Sequence, residues 1–252
     1  MLAEADYVVG VQKRLGARIY EGCSCCRLCG SPLDPHLEHS EICATAAATR
    51  GHYACVRALV EGFRLADPGV STEARGLTDT AARPADILTI AAIPGRSAAL
   101  DVCVASPSAA MALGDAAEAA FRRKLRHYRA VIPQLSAAGI SFRPLVWTAE
   151  GRPHAAAART LRFAARLAST RGGGEKEAAG FLARWRHEIQ IAIQRRRAAM
   201  ARAVLPQALT REVWLLSGRT EGPPCTDGRA PQLCSDDWEE AEGKEEDEAA
   251  EV

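Results

Sequence analysis

Cys26, Cys29, His39 and Cys43 have the types and spacing of a closed metal site. Cys26-x2-Cys29, with Gly30 behind it, forms a tight knuckle whose thiolates grip one side of a tetrahedral Zn²⁺. His39 and Cys43, one helical turn apart, close the other side. Four protein ligands leave no open coordination position, so such a site is structural and activates no water. The neighbours offer alternatives, with Cys23 and Cys25 competing with Cys26, and His36 with His39. The bland reading is a group of incidental thiols.

A second set of chemistry-bearing residues lies in 83–104, RPADILTIAAIPGRSAALDVCV. Two apolar runs flank Pro94-Gly95-Arg96 and read as a buried β-hairpin, with Asp86 opening the first run and Asp101 the second. An ionised carboxylate buried among Ile, Leu, Ala and Val is costly unless a cation or hydrogen-bond donors meet it. Either the two acids cap strand ends, or something basic faces them. A turn at 94–96 sets Asp86 opposite about residue 103, within reach of Asp101 on a twisted sheet.

The helix predicted over 110–132 supplies a candidate base. Ala117, Phe121, Leu125, Tyr128 and Ile132 define its apolar face, while Arg122, Arg123, Arg126 and Arg129 point away. Lys124 is the basic residue on the margin of the inner face. It either aims at the two carboxylates or snorkels its ammonium to water. Two carboxylates and a lysine at a strand edge suit metal-dependent phosphodiester hydrolysis. The acids hold Mg²⁺, which stabilises charge at phosphorus and acidifies a bound water, and the lysine orients that water or steadies the phosphate. The surrounding arginines hold a nucleic-acid backbone largely without reading its sequence.

The elements that must position these groups follow in order. Residues 1–22 read as a packing helix and 23–47 as the knuckle. A helix from about residue 44 carries Val56, Leu59, Val60 and Phe63 on one stripe, with Arg50, His52 and Arg57 near its start and Glu61 within it. A short strand at 70–74 includes Glu73, and a further strand spans 140–148. A helix at 155–169 leads to the triglycine at 172–174, and a long basic amphipathic helix ends at Pro206. The predicted fold is α/β, a small mixed sheet flanked by helices. Residues 48–170 form its core, 171–206 a helix packed on it, and 207–252 a disordered acidic tail.

Charge is segregated along the chain. Residues 110–215 hold 19 Lys/Arg against 7 Asp/Glu, and residues 221–252 hold 2 against 12. A basic body with an acidic tail points to a polyanion-binding surface with which the tail competes. The alternative is solvated helix faces and a solubilising tail. No apolar stretch approaches the roughly 20 residues of a membrane helix, and the N-terminus lacks a secretory pattern. The expectation is an intracellular, nuclear protein whose clustered thiols serve metal rather than disulfides. Cys225 and Cys234 have no nearby partners in sequence.

Together these motifs resemble a known family. Cys26-x2-Cys29-x9-His39-x3-Cys43, the Arg50/His52 helix start, and Pro84-Ala85-Asp86-x14-Asp101 followed by Lys124 on the next helix look like one domain. It is the restriction-endonuclease-like domain of site-specific non-LTR retrotransposons, within the PD-(D/E)xK nuclease superfamily. The resemblance covers residues 21–205, including Gln194-Arg195. It implies Asp86 and Asp101 as metal-binding acids, Lys124 as the catalytic lysine, and Glu73, ahead of Glu61, as a third carboxylate. It also implies Arg50, His52, Arg122, Arg123, Arg126 and Arg195 as nucleic-acid contacts, and DNA, or RNA, as partner.

Two departures stand out: one residue is inserted in the family's Pro-Asp, and Cys103 occupies the superfamily's usual lysine position. No reverse-transcriptase segment occurs in the chain, so the resemblance implies a detached domain. The competing readings are a catalytically inactive DNA-binding remnant and a zinc-stapled protein-interaction module. The charge segregation makes a direct test: deleting 221–252 is expected to tighten duplex DNA binding measured by fluorescence anisotropy at low salt. Unchanged affinity rules out self-competition by the tail.

Overall fold

The computed structural model describes residues 4–20, 23–79, 83–106, 114–170 and 175–206. The triglycine, the start of the 110–132 helix and the acidic tail with Cys225 and Cys234 lie outside the described residues. Within them run α1 (Glu4–Leu15), α2 (Ser40–Cys43), α3 (Thr45–Ala66), β1 (Ser71–Thr72), β2 (Ile87–Ile93) and β3 (Arg96–Ala105). They are followed by α4 (Ala116–His127), α5 (Ile132–Ala137), β4 (Ile140–Thr148), α6 (Ala155–Thr170) and α7 (Glu175–Val204). The chain is mixed α/β. One four-stranded sheet, ordered β1-β2-β3-β4, is antiparallel except for the parallel β3/β4 pair, whose crossover is α4 and α5.

Strand alternation sorts the side chains between two layers. Leu100, Val102, Leu145 and Trp147 point into the main core under α3, α6 and α7. Ala99, Ala105, Phe142 and Val146 pack toward α4 and α5. Asp101 and Cys103, in step with Ala99 and Ala105, therefore share the α4 side.

The hairpin register differs from the sequence expectation because β2 carries a bulge. Ile93 pairs with Arg96 at the turn, but beyond the irregularity between Thr89 and Ile93 the pairing is Thr89 with Ala98 and Ile87 with Leu100. Continuing that register sets Asp86 beside Asp101 rather than residue 103. The bulge has a cause at the end of α3. Asp67, buried, accepts from Thr89 Oγ1 at 2.6 Å and from the Ile90 N–H at 2.9 Å, holding the extra residues open.

The helix expected through residue 132 is also divided. α4 ends at His127, and α5 starts afresh with Pro133 in its first turn, where a missing N–H costs nothing. α7 spans both cores: Trp185, Ile189 and Ile193 join the sheet core, while Met200, Val204 and Leu205 pack with Val9 of α1, Leu33 and Leu37. Among the described residues, no helix is long and apolar enough to cross a membrane.

The α3/α7 contact that carries His52 depends on a glycine. A Cβ at Gly62 would stand 1.9 Å from the Trp185 ring, whose Nε1 donates to the Ala58 carbonyl at 3.0 Å. Gly62→Ala must push that rigid ring away. It is expected to destabilise the protein by about 1–3 kcal/mol, read as a lower urea midpoint at unchanged slope.

Candidate functional site

The cysteine-histidine set closes as a cluster. One ligand atom each from Cys26, Cys29, His39 and Cys43 lies within 4.8 Å of the others, and among the described residues no other His, Cys, Asp or Glu group is so close-set. The alternatives do not join it. His36 turns its Nδ1 to the Ala17 carbonyl at 3.2 Å, Cys23 is exposed, and Cys25 sits in a bridge with Pro32.

The backbone builds this cluster from both sides. Cys26 N–H donates to Ser31 O and Gly30 N–H to Cys26 O, with Gly30 in the left-handed region that glycine tolerates best. Asp34 accepts from the N–H groups of His36, Glu38 and His39. These bonds outweigh burial and hold its carboxyl below its usual range while fixing the loop that presents His39.

The cluster can hold a metal ion and is compatible with zinc. Sulfurs about 2.3 Å from one tetrahedral ion stand about 3.8 Å apart, the separation of Cys26 Sγ and Cys43 Sγ. His39 Nε2 is 3.2 Å from Cys29 Sγ. Burial works against a Cys29 thiolate, yet hydrogen bonds from Ser31, Cys43 and Cys26 bring its pKa down to about 6. Burial and the neighbouring sulfurs push Cys43 up to about 12. The two thiols thus differ in how readily they ionise, and a cation held between them would favour the thiolate of each.

The two acids are placed differently, each with its own basic partner. Lys124 reaches from α4 to Asp101, its Nζ 3.2 Å from Oδ1 and 3.0 Å from Oδ2. The ammonium thus faces both oxygens of a carboxylate that is almost fully enclosed. Asp86 accepts the Val102 N–H on Oδ2 at 2.6 Å and faces His52 Nε2 with Oδ1 at 3.3 Å. Burial raises Asp101 above the carboxylate range, Lys124 pulls it down, and the charge of Asp86 adds to the rise. Burial also opposes the Lys124 charge, but Asp101 outweighs it and holds the ammonium above its ordinary pKa.

A network outside the site positions α4. Asp115 caps the helix by accepting from the Ala117 and Glu118 N–H groups and pairs with Arg152. His154, behind β4, accepts the Ala156 N–H on Nδ1, which leaves Nε2 to donate to Glu118 at 2.8 Å while its ring stacks on Phe121.

The remaining expected residues distribute as follows. Glu73 shares a cleft of about 140 Å³ with Asp86, Tyr53, Val56, Arg57 and Thr72, and its N–H donates to the Asp86 carbonyl. Glu61 lies outside it in an exposed pair with Arg64. Arg50, Arg122, Arg123, Arg126 and Arg195 are all exposed, with Arg122 bound to Glu118.

The sequence reading missed the direct His52–Asp86 contact, because it joins helix and strand across 34 residues. It also missed Tyr128, whose hydroxyl donates to the Arg83 carbonyl and whose pKa is raised by burial and by both acids. Its spacing, one turn after Lys124, was the available signal. Comparisons with protein-family models, with curated proteins and with solved structures found no match.

The cluster geometry leads to a measurement. The purified chain is expected to bind about one equivalent of a thiophilic metal ion by elemental analysis, with Cys43→Ser losing it and melting at lower temperature. Affinity should fall with pH as the thiols reprotonate. Metal-free protein that melts like the loaded form would remove the cluster's role.

Proposed function

We propose that this chain is a metal-dependent nuclease that hydrolyses phosphodiester bonds of DNA. On this reading it is the restriction-endonuclease-like domain of the retrotransposon group, detached from a reverse transcriptase, acting in the nucleus. Its N-terminal cluster is a structural zinc knuckle. The observation that carries the reading is the contact between Lys124 and Asp101 on the inner strand β3, beside Asp86, which directly precedes β2.

The residues fit a hard divalent cation. Two carboxylates stand side by side, Asp101 enclosed with Lys124 Nζ 3.0 Å from its Oδ2, and Asp86 with Oδ1 turned toward a partly exposed imidazole. Asp86 and Asp101 would hold Mg²⁺, with Glu73 as a third carboxylate across the cleft. When bound, Mg²⁺ supplies charge stabilisation at phosphorus and acidifies a water.

Lys124 has a separate task. Its ammonium stays charged at neutral pH beside Asp101, where it orients the attacking water or steadies a phosphate oxygen. Arg50, Arg122, Arg123, Arg126 and Arg195 meet the backbone of the flanking duplex. His52 has a place beside Asp86 as well as on the expected nucleic-acid face. The closed pairs Lys124–Asp101 and His52–Asp86 also favour a second reading, a DNA-binding remnant whose acids no longer need a metal.

Plasmid DNA separates the two. On the first reading the chain nicks it with Mg²⁺ or Mn²⁺, and Asp101→Ala lowers the rate by about 100-fold or more; binding without any cleavage selects the second. The raised Asp101 pKa adds a pH signature. Its neutral form contributes stability that is present below the ordinary carboxylate pKa and is lost as pH rises through the raised value. Stabilisation by Mg²⁺ in thermal melts should therefore grow with pH over that same range. Cleavage that survives Asp101→Ala would remove the site assignment.

A further inference from the structure

Arg196 on α7 is partly exposed and has one guanidinium nitrogen without a hydrogen-bond partner among the described residues. Its Nη1 is buried without a hydrogen-bond partner, and no carboxylate among the described residues lies at ion-pair distance. The side chain crosses α3 at Gly51, where a Cβ would stand 2.3 Å from Arg196 Cγ and 2.6 Å from its Cβ. Glycine at 51 is thus what admits the arginine stem between α3 and α7. An arginine held this way, with a donor unsatisfied, weakens the fold unless something anionic completes it.

Three positions locate the group relative to the carboxylates. Gly51 directly precedes His52, whose Nε2 touches Asp86. Cys55, one turn further along α3, feels the Arg196 charge, which opposes the burial that pushes that thiol up to about 11. Cys103, two residues beyond Asp101 on the same face of β3, feels it as well, alongside Lys124 and Arg123. Arg196 therefore stands on the α7 side of the ground that Lys124 and Arg123 approach from α4. Its neighbour Arg197 is different in kind, being buried against Glu41 and Glu150.

We propose that Arg196 binds a phosphate of the nucleic-acid backbone beside the Asp86/Asp101 site, entering over the α3/α7 crossing at Gly51. The inference rests on the nuclease reading for its ligand, but the geometry asks only for a phosphate-like oxyanion. A guanidinium offers paired donors to such a group, and Arg196 has a donor to spare. The residue that the sequence pattern singled out here was Arg195, which faces solvent; the orphaned one is the next along.

The test compares the full-length wild type with Arg196→Met, which keeps the stem against Gly51 and removes the charge, and with Arg196→Lys. Arg196→Met is expected to melt at a higher temperature than wild type without ligand. It should bind a short DNA duplex about tenfold more weakly, with a salt dependence shallower by about one counterion. It should also lose the stabilisation that inorganic phosphate gives the wild type, and Arg196→Lys should recover part of it. Arg196→Met binding duplex and responding to phosphate as wild type does overturns the proposal. Should wild type respond to phosphate but not bind duplex, and Arg196→Met lose that response, the oxyanion site stands and the nuclease reading falls.

Discussion

An ionised carboxylate on the inner face of a sheet demands a cation, and the contact between Asp101 and Lys124 is the constraint on which the rest of this chain turns. Asp101 sits on a face of β3 shared with Ala99, Cys103 and Ala105, with its carboxylate almost wholly enclosed. Removing either partner strands the other, a loss of about 3–5 kcal/mol when a buried pair is broken. α4 must therefore dock in one register. The Asp115 cap, the Arg152 pair and the His154–Glu118 bond all act at the helix start, within about three turns of Lys124. They are surface or half-buried interactions of modest individual strength, and they serve chiefly to aim one side chain.

The same logic joins the metal cluster to the body. Glu41 lies between His39 and Cys43 in α2, is almost fully enclosed, and has Lys13 of α1 at 3.5 Å and Arg197 of α7 at 3.3 Å. Burial lowers the Lys13 pKa, with Glu41 opposing the shift. Two cations from separate helices meet one carboxylate of α2, and Arg197 reaches Glu150 as well. Losing the geometry of α2 would thus remove a shared ion-pair partner at the α1/α7 contact. A buried ion network thus joins the Cys/His cluster to α1 and α7.

Much of this was legible in the sequence where local pattern and tertiary demand agree. The four-ligand spacing, the hairpin about Pro94-Gly95, strand 140–148 and the helices after it depend on near neighbours, and the coordinates place them as read. Lys124 was legible because a basic residue on an apolar helix margin is an anomaly that asks for a partner. What escaped were effects of distant residues. The β2 bulge is held by Asp67 at the end of another helix, and nothing within the hairpin announces it. The break between α4 and α5 was signalled by Pro133 but masked by a continuous apolar face. His52 looked like a surface contact because its partner Asp86 is brought to it only by the sheet.

Cys103 shows why position in space matters more than position in sequence. In the nuclease superfamily proposed for this chain the lysine usually stands there, two residues beyond the second acid on the same strand face. A strand lysine would be fixed by β3 itself, whereas Lys124 is fixed by the docking of a helix. The amine still reaches both oxygens of Asp101, and the Cys103 thiol lies close enough to feel its charge. What has changed is what holds it. The amine's location now depends on Asp115, Glu118 and His154, residues with no contact to Asp101, so the electrostatics of the site are set from the far end of α4. In an arrangement of that kind the ammonium's position relative to Asp101 follows the docking of α4, which Asp115, Glu118 and His154 fix at the helix start.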